Sequence, residues 1–241
     1  MHRQLATTIA LALAAPLIAL LPAGSGHAAD EPTAVYTVAK HDTLIGLGRT
    51  VLVSSRAWPE VAQLNRLPDP NRIWPGQQLT VPLRLLRSTA LAATISQAQG
   101  DVRANGQAVR AGDLLRQGDR LSTADASSAV LQLADGSRVL VAPGSEAELQ
   151  EHRRYSLKNV GSAAGNGEGL FAASMRLARG SLELLASKVL RAKPLEVNTP
   201  TAVIGVRGTE YRVHHDSAQA TRTEVLSGAV RADARAASGA D

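Results

Sequence analysis

Glycine falls at positions 100, 106, 112 and 118, six residues apart each time, with short aliphatic runs between and after. Turn signals this frequent leave room for short extended segments rather than long helices. Asn105-Gly106, flanked by Val102 and Val109, is the strongest kind of two-residue hairpin signal. Gly112-Asp113 and Gly118-Asp119 mark further turns, and Asp135-Gly136 joins the run 129–133 to 138–141. Later strand candidates are 182–185, 195–198, 202–206, 211–213 and 223–226, with Ser227-Gly228 turning into Ala229-Val230. A six-residue period is compatible with a β-solenoid, but it lasts only three intervals. The expectation is an all-β domain, sandwich or solenoid-like.

Between Gln150 and Arg179 the pattern breaks, and this stretch reads as an irregular insertion. Its Gly-rich part, 161–169, follows no clear strand and opens no helix, so it reads as a surface loop rather than a phosphate cradle. His152-Arg153-Arg154 with Arg176 and Arg179 reads as a solvated basic flank. His214 and His215 alternate across a strand and so cannot easily share a metal. No metal or cofactor is expected. Residues 232–241, rich in Ala, Asp and Ser, read as a disordered tail.

Composition narrows the classes. With 44% apolar and 20% charged residues among 241, the chain has the makeup of a globular protein. It holds no cysteine, which removes disulfides, thiolate-bound zinc or iron–sulfur clusters, a thiol nucleophile and a lipidated N-terminal Cys. The formal charge of +5 comes from Arg spread along the chain, so an anionic partner is admissible while a nucleic-acid-binding block is not evident. At the N-terminus Arg3 precedes an uncharged run from Leu5 to Leu21, and Gly26-His27-Ala28 follows. Residues 1–28 therefore read as a signal peptide cut after Ala28. The run, interrupted by Pro16, is short against the roughly 20 residues a bilayer needs. Cleavage removes Arg3 and lowers the charge from +5 to +4. The remainder, without a second span, is expected to be exported and periplasmic.

Three of the six aromatic residues, Tyr36, Trp58 and Trp74, lie within residues 36–82. Val35-Tyr36-Thr37-Val38 reads as a strand, and Asp42 or Thr43 as the N-cap of a helix facing inward with Leu44, Ile45, Leu47 and Val51. Gly46 and Gly48 weaken that helix by about 1 kcal/mol each. Trp58-Pro59-Glu60 opens a second helix with Val61 and Leu64 inward, ended by Asn65. Pro75-Gly76 is a type II turn pair feeding the strand 78–81.

This strand–helix–helix–strand segment resembles the LysM domain, a βααβ module that binds peptidoglycan and chitin. Tyr36-Thr37-Val38, Asp42-Thr43-Leu44, the run 58–65 and the run Ile73-Trp74-Pro75-Gly76 through Pro82 carry the resemblance. It implies a shallow groove for N-acetylglucosamine-containing glycan. That groove would lie between Asp42, Thr43, Leu44 and Ile45 on one side and Pro70, Asn71, Arg72 and Ile73 on the other. His41 stands where the family usually has Gly, and the stretch from Asp42 to Asn65 is longer than its commonest form. The three aromatics are expected to anchor the core, leaving glycan contact to the loops.

Residues 99–231 resemble the FecR domain, with 83–98 as linker and first strand. Gly118-Asp119-Arg120-Leu121-Ser122-Thr123, Asp135-Gly136-Ser137, Arg179-Gly180-Ser181-Leu182 and above all the run 197–211 carry this resemblance. It implies an extracytoplasmic role with an envelope protein partner and brings no catalytic residues. Arg207-Gly208-Thr209 reads as structural, with Arg pairing a neighbouring strand's carboxylate and Gly permitting a bend, the alternative being a partner-binding edge. The expected class is thus α+β: a small βααβ module before an all-β domain.

Three functions compete. The first is a non-enzymatic wall-associated binding protein. The second is an extracytoplasmic signalling regulator, which would need a retained span. The third is a peptidoglycan-processing enzyme, whose candidate acids would be Glu146, Glu148 and Glu151.

Overall fold

The computed structural model describes residues 31–157, 170–189, 191–206, 210–216, 220–227 and 230–234. The expected signal peptide, the run 161–169, Arg207-Gly208-Thr209 and residues 235–241 lie outside the described residues. Among the described residues no helix is long and apolar enough to cross a membrane.

The first module follows the expected order: β1 (Thr33–Thr37), α1 (Leu44–Thr50), α2 (Trp58–Leu64) and β2 (Gln78–Pro82). The two strands pair antiparallel, with Tyr36 opposite Leu79. Alternation then puts Ala34, Tyr36, Leu79 and Val81 on one buried face, against Leu44, Leu47, Val61 and Ala62 of the helices. Two inward assignments change. Ile45 and Leu64 are exposed, and Ala62 takes the inner position beside Val61. Gly48 earns its place in α1 by proximity, because a Cβ there would stand 3.0 Å from the Ser55 carbonyl oxygen.

The β domain follows a short 3₁₀ turn at Leu83–Leu85. Its strands are β3 (Ser88–Ala90), β4 (Ala93–Gln99), β5 (Val102–Ala104), β6 (Gln107–Ala108), β7 (Leu114–Leu115) and β8 (Arg120–Thr123). Then come β9 (Ser128–Gln132), β10 (Arg138–Val141), β11 (Glu146–Tyr155) and β12 (Leu170–Leu185). The last are β13 (Leu195–Asn198), β14 (Ala202–Val206), β15 (Glu210–His215), β16 (Thr221–Ser227) and β17 (Val230–Ala234). Apart from the parallel pair β12–β13 and one isolated parallel bridge, the pairings of the described strands are antiparallel. Such a pattern fits a sandwich and not a stack of parallel coils.

β12 organises the domain. Residues 170–179 pair with β11 in one sheet, and residues 182–185 pair with β10 in the other. The switch falls at Gly180, whose φ of +89° belongs to the left-handed region that L side chains avoid. There Ser145 Oγ accepts the Ser181 N–H at 2.9 Å and donates to the Ser181 carbonyl at 3.2 Å. One aliphatic core joins both layers, with Leu121, Leu149, Met175 and Leu177 against Ile95, Leu131, Val139 and Leu184.

Three expectations are corrected here. The supposed insertion between Gln150 and Arg179 contains the end of β11 and more than half of β12. Residues 232–234 belong to β17, paired with β14, rather than to a tail. Of the expected linker and first strand over 83–98, the strands are present as β3 and β4, while the linker part is packed into the first module. Leu83, Leu85 and Leu86 are buried in the first module's core, Arg87 Nε donates to the Leu52 carbonyl at 2.6 Å, and β3 pairs with β11. That same core takes Tyr155, Leu157, Leu170 and Ala172 from the β domain. The two parts are therefore continuous in their packing.

Candidate functional site

Each side of the expected groove is held by a small hydrogen-bonded frame. On the first side, Asp42 Oδ2 accepts from the Tyr36 hydroxyl at 2.6 Å and from the Ala39 N–H at 2.7 Å. Burial, with the bond to Asp42 and its negative charge adding to it, pushes the Tyr36 phenol above its ordinary range. Thr43 has extended backbone, and its Oγ1 accepts the Gly46 N–H at 3.0 Å, which caps α1. Asp42 is thus committed to holding the loop. Leu44, only 2% exposed, is core and offers nothing to a ligand, correcting its place among the expected contacts. Ile45 is 44% exposed and Thr43 is exposed, so these two face solvent.

On the second side, Asn65 clamps the end of α2 to β2. Its amide donates to the Thr80 carbonyl at 2.8 Å, and its Oδ1 accepts the Thr80 N–H at 2.7 Å. Asp69 shapes the following loop, accepting the Asn71 N–H on Oδ1 and the Arg72 N–H on its carbonyl. Asn71 and Arg72 are exposed, Pro70 is half-buried, and Ile73 packs against the core. The turn Trp74–Gln77 closes with the Gln77 N–H on the Trp74 carbonyl at 3.0 Å, with Gly76 at φ +85°. It is tied to the end of β1 through Gly76 N–H to the Val38 carbonyl, 2.8 Å, and Val38 N–H to the Gln77 carbonyl, 2.9 Å.

The aromatics divide. Tyr36 is core, and Trp58 packs against that core from its edge. Trp74 is 61% exposed, contrary to the expectation of a core anchor. The Arg72 guanidinium carbon lies 5.7 Å from the centroid of its ring, within cation–π range. Spacing alone could have hinted at this, since Trp74 directly precedes the Pro75-Gly76 turn, where a side chain tends to project outward.

The carboxylates of the hydrolase reading are all matched by cations. Glu146 faces Arg179 at 3.6 Å, Glu148 faces Arg120 at 3.8 Å, and Glu151 meets Arg153 at 3.4 Å and also Lys193. A cleft of about 530 Å³ beside Arg120 takes only Glu146 of the three into its lining, and a smaller one of about 160 Å³ brings Glu146 and Glu148 together with Arg120 and Arg176. The histidines are likewise engaged. His214 Nδ1 lies 2.7 Å from Ser181 Oγ and His215 Nδ1 lies 3.1 Å from Thr221 Oγ1. Among the described residues no cluster of His, Asp or Glu could hold a metal ion.

Comparison with known proteins now adds to this geometry. A model of the LysM domain matches residues 36–82, and a model of the FecR protein family matches residues 119–231. The chain joins a LysM domain to a FecR domain. No curated protein matches the sequence. Among solved structures, one of a candidate anti-sigma factor from Parabacteroides distasonis is similar at 17% identity and a TM-score of 0.35. That similarity covers 48% of this chain and 47% of that one. The FecR domain supplies Leu170 and Ala172 to the core of the LysM domain, so the match boundaries do not coincide with a break in packing.

Proposed function

We propose that this is an exported, non-enzymatic protein of the periplasm. Its LysM domain binds the N-acetylglucosamine-containing glycan of peptidoglycan, and its FecR domain is presented to a protein partner in the envelope. The observation that carries the reading is the LysM match over residues 36–82. In support, Thr43 and Ile45 at the start of α1 and Asn71 and Arg72 on the loop after α2 are exposed on braced backbones. Asp42 and Leu44 act as scaffold, and Pro70 and Ile73 shape the second loop. The shared core means that a wall-bound LysM domain holds the FecR domain without a flexible tether.

The FecR match over 119–231 favours a second reading, a signalling regulator that senses an envelope partner. The two differ in what is lost with the glycan site: wall retention in the first, a transcriptional response in the second.

The test is co-sedimentation of the full chain with insoluble peptidoglycan. The protein should pellet, soluble chitin oligomers should release it, and Asn71→Ala and Ile45→Glu should weaken retention. Retention that disappears in about 1 M salt, where the Debye length is about 3 Å, would assign the binding to the net positive charge and overturn the groove.

A further inference from the structure

Arg72, which the glycan reading places on the second loop, forms one feature with Trp74, which that reading leaves unused. Both are exposed, and the guanidinium sits over the indole ring at 5.7 Å. Arg72 has no carboxylate partner among the described residues. Other described arginines, Arg49 among them, share this lack; what sets Arg72 apart is the indole ring beneath its guanidinium. The ring restricts a side chain that would otherwise lose much rotamer freedom on binding, so the cation is preorganised and uncompensated. The backbone below is braced as well. The Arg72 N–H bonds the Asp69 carbonyl at 3.0 Å, and the Trp74 N–H bonds Gln77 Oε1 at 3.0 Å.

Resting on the LysM reading above, we propose that Arg72, stacked on Trp74, is a subsite for a carboxylate pendant from the glycan strand. The planar fork of the guanidinium matches a carboxylate in bidentate geometry. Chitin carries no such group. Peptidoglycan offers two sources: the lactyl carboxyl of N-acetylmuramic acid where the stem peptide has been removed, and the free carboxylates of the stem peptide where it remains. The stacked pair therefore selects peptidoglycan over an uncharged N-acetylglucosamine polymer.

The experiment measures the affinity of the full chain for three probes of equal length. They are chitin oligomers, peptide-free peptidoglycan strands and peptide-bearing strands. An exposed charge pair of this kind predicts a preference of about two- to fivefold for a carboxylate-bearing strand, and whichever strand shows it identifies the source. Arg72→Gln should abolish the preference, bringing the affinities for the three probes to a common level. Arg72→Lys, which keeps charge but loses the fork, should recover part of it. Arg49→Gln removes the same charge from the exposed end of α1 and should leave the preference intact. Equal affinity for all three probes, or a preference that survives Arg72→Gln, overturns the subsite while the glycan site stands. Failure to bind any probe overturns both.

Discussion

The guanidinium of Arg191 and the carboxylate of Asp135 form an ion pair in which each side chain is only 1% exposed, with Nε 2.9 Å from Oδ2. Arg191 also donates to the Ser137 hydroxyl and to the Ser187 carbonyl, and Ser187 Oγ donates to the Asp135 carbonyl. This clasp ties the turn between β9 and β10 to the segment that leads from β12 to β13. A buried pair is costly to break by halves, because the survivor is left charged and dry. Arg191→Met should therefore lower stability by about 3–5 kcal/mol. Adding Asp135→Leu should restore much of the loss, and urea unfolding of the single and double variants would check both.

Gly180 carries the crossover of β12 between sheets. Its φ is +89°, and an added Cβ would lie 2.3 Å from Ser145 Oγ and 2.6 Å from Ser145 Cα. Gly112 has a similar φ of +97° with nothing within 4 Å of that position. Gly112→Ala should cost about 1–2 kcal/mol from conformation alone. Gly180→Ala adds a backbone clash and should cost clearly more. Thermal unfolding of the two variants side by side separates the terms, and equal losses would refute the crossover argument.

Leu170 belongs in sequence to the FecR domain and in space to the LysM core. Leu170→Ala should destabilise the LysM domain by about 2–5 kcal/mol. Trp58, packed against the same core, reports this by fluorescence in a Trp74→Phe background. A transition unmoved by the substitution would show that the two domains unfold independently.

His152, 1% exposed, lies where a solvated basic flank was expected. Its Nε2 accepts the Ala134 N–H at 3.2 Å, which puts the proton on Nδ1, an atom with no hydrogen-bond partner. Burial depresses its pKa, against smaller upward pulls from the Asp135 charge and the backbone of Leu91. The folded value is therefore below the ordinary one of about 6.5. The neutral ring's contribution is fully present above that pH and is lost as pH falls towards the folded value. Stability should fall between pH 7.5 and 5.0, and His152→Gln, whose Oε1 still accepts from Ala134, should flatten that fall. An unchanged pH profile in the variant would assign the loss elsewhere.

What could be read from the amino-acid order was local. Asn105-Gly106, with φ values of 51° and 81°, and the turn at Trp74–Gln77 follow from residue types that tolerate left-handed backbone. Thr43 as a helix cap and Asn65 as a helix end follow from short polar side chains that reach nearby backbone. β12 was illegible for the opposite reason. Residues 170–175, Leu-Phe-Ala-Ala-Ser-Met, are buried on both faces, so the alternation that marks a half-exposed strand is absent. β11 was hidden by its charges, since six of its ten residues are Glu, His or Arg and two of them, Glu146 and Glu148, meet their cations on neighbouring strands. Exposure in the candidate site was also undecided by sequence: adjacent Leu44 and Ile45 look alike, yet one is core and the other faces solvent. The order of residues determines where the chain can turn and which turns it can cap. Only the packing of distant segments decides which neighbour is buried, which cation comes to rest on an exposed ring, and that two families of domain share one core.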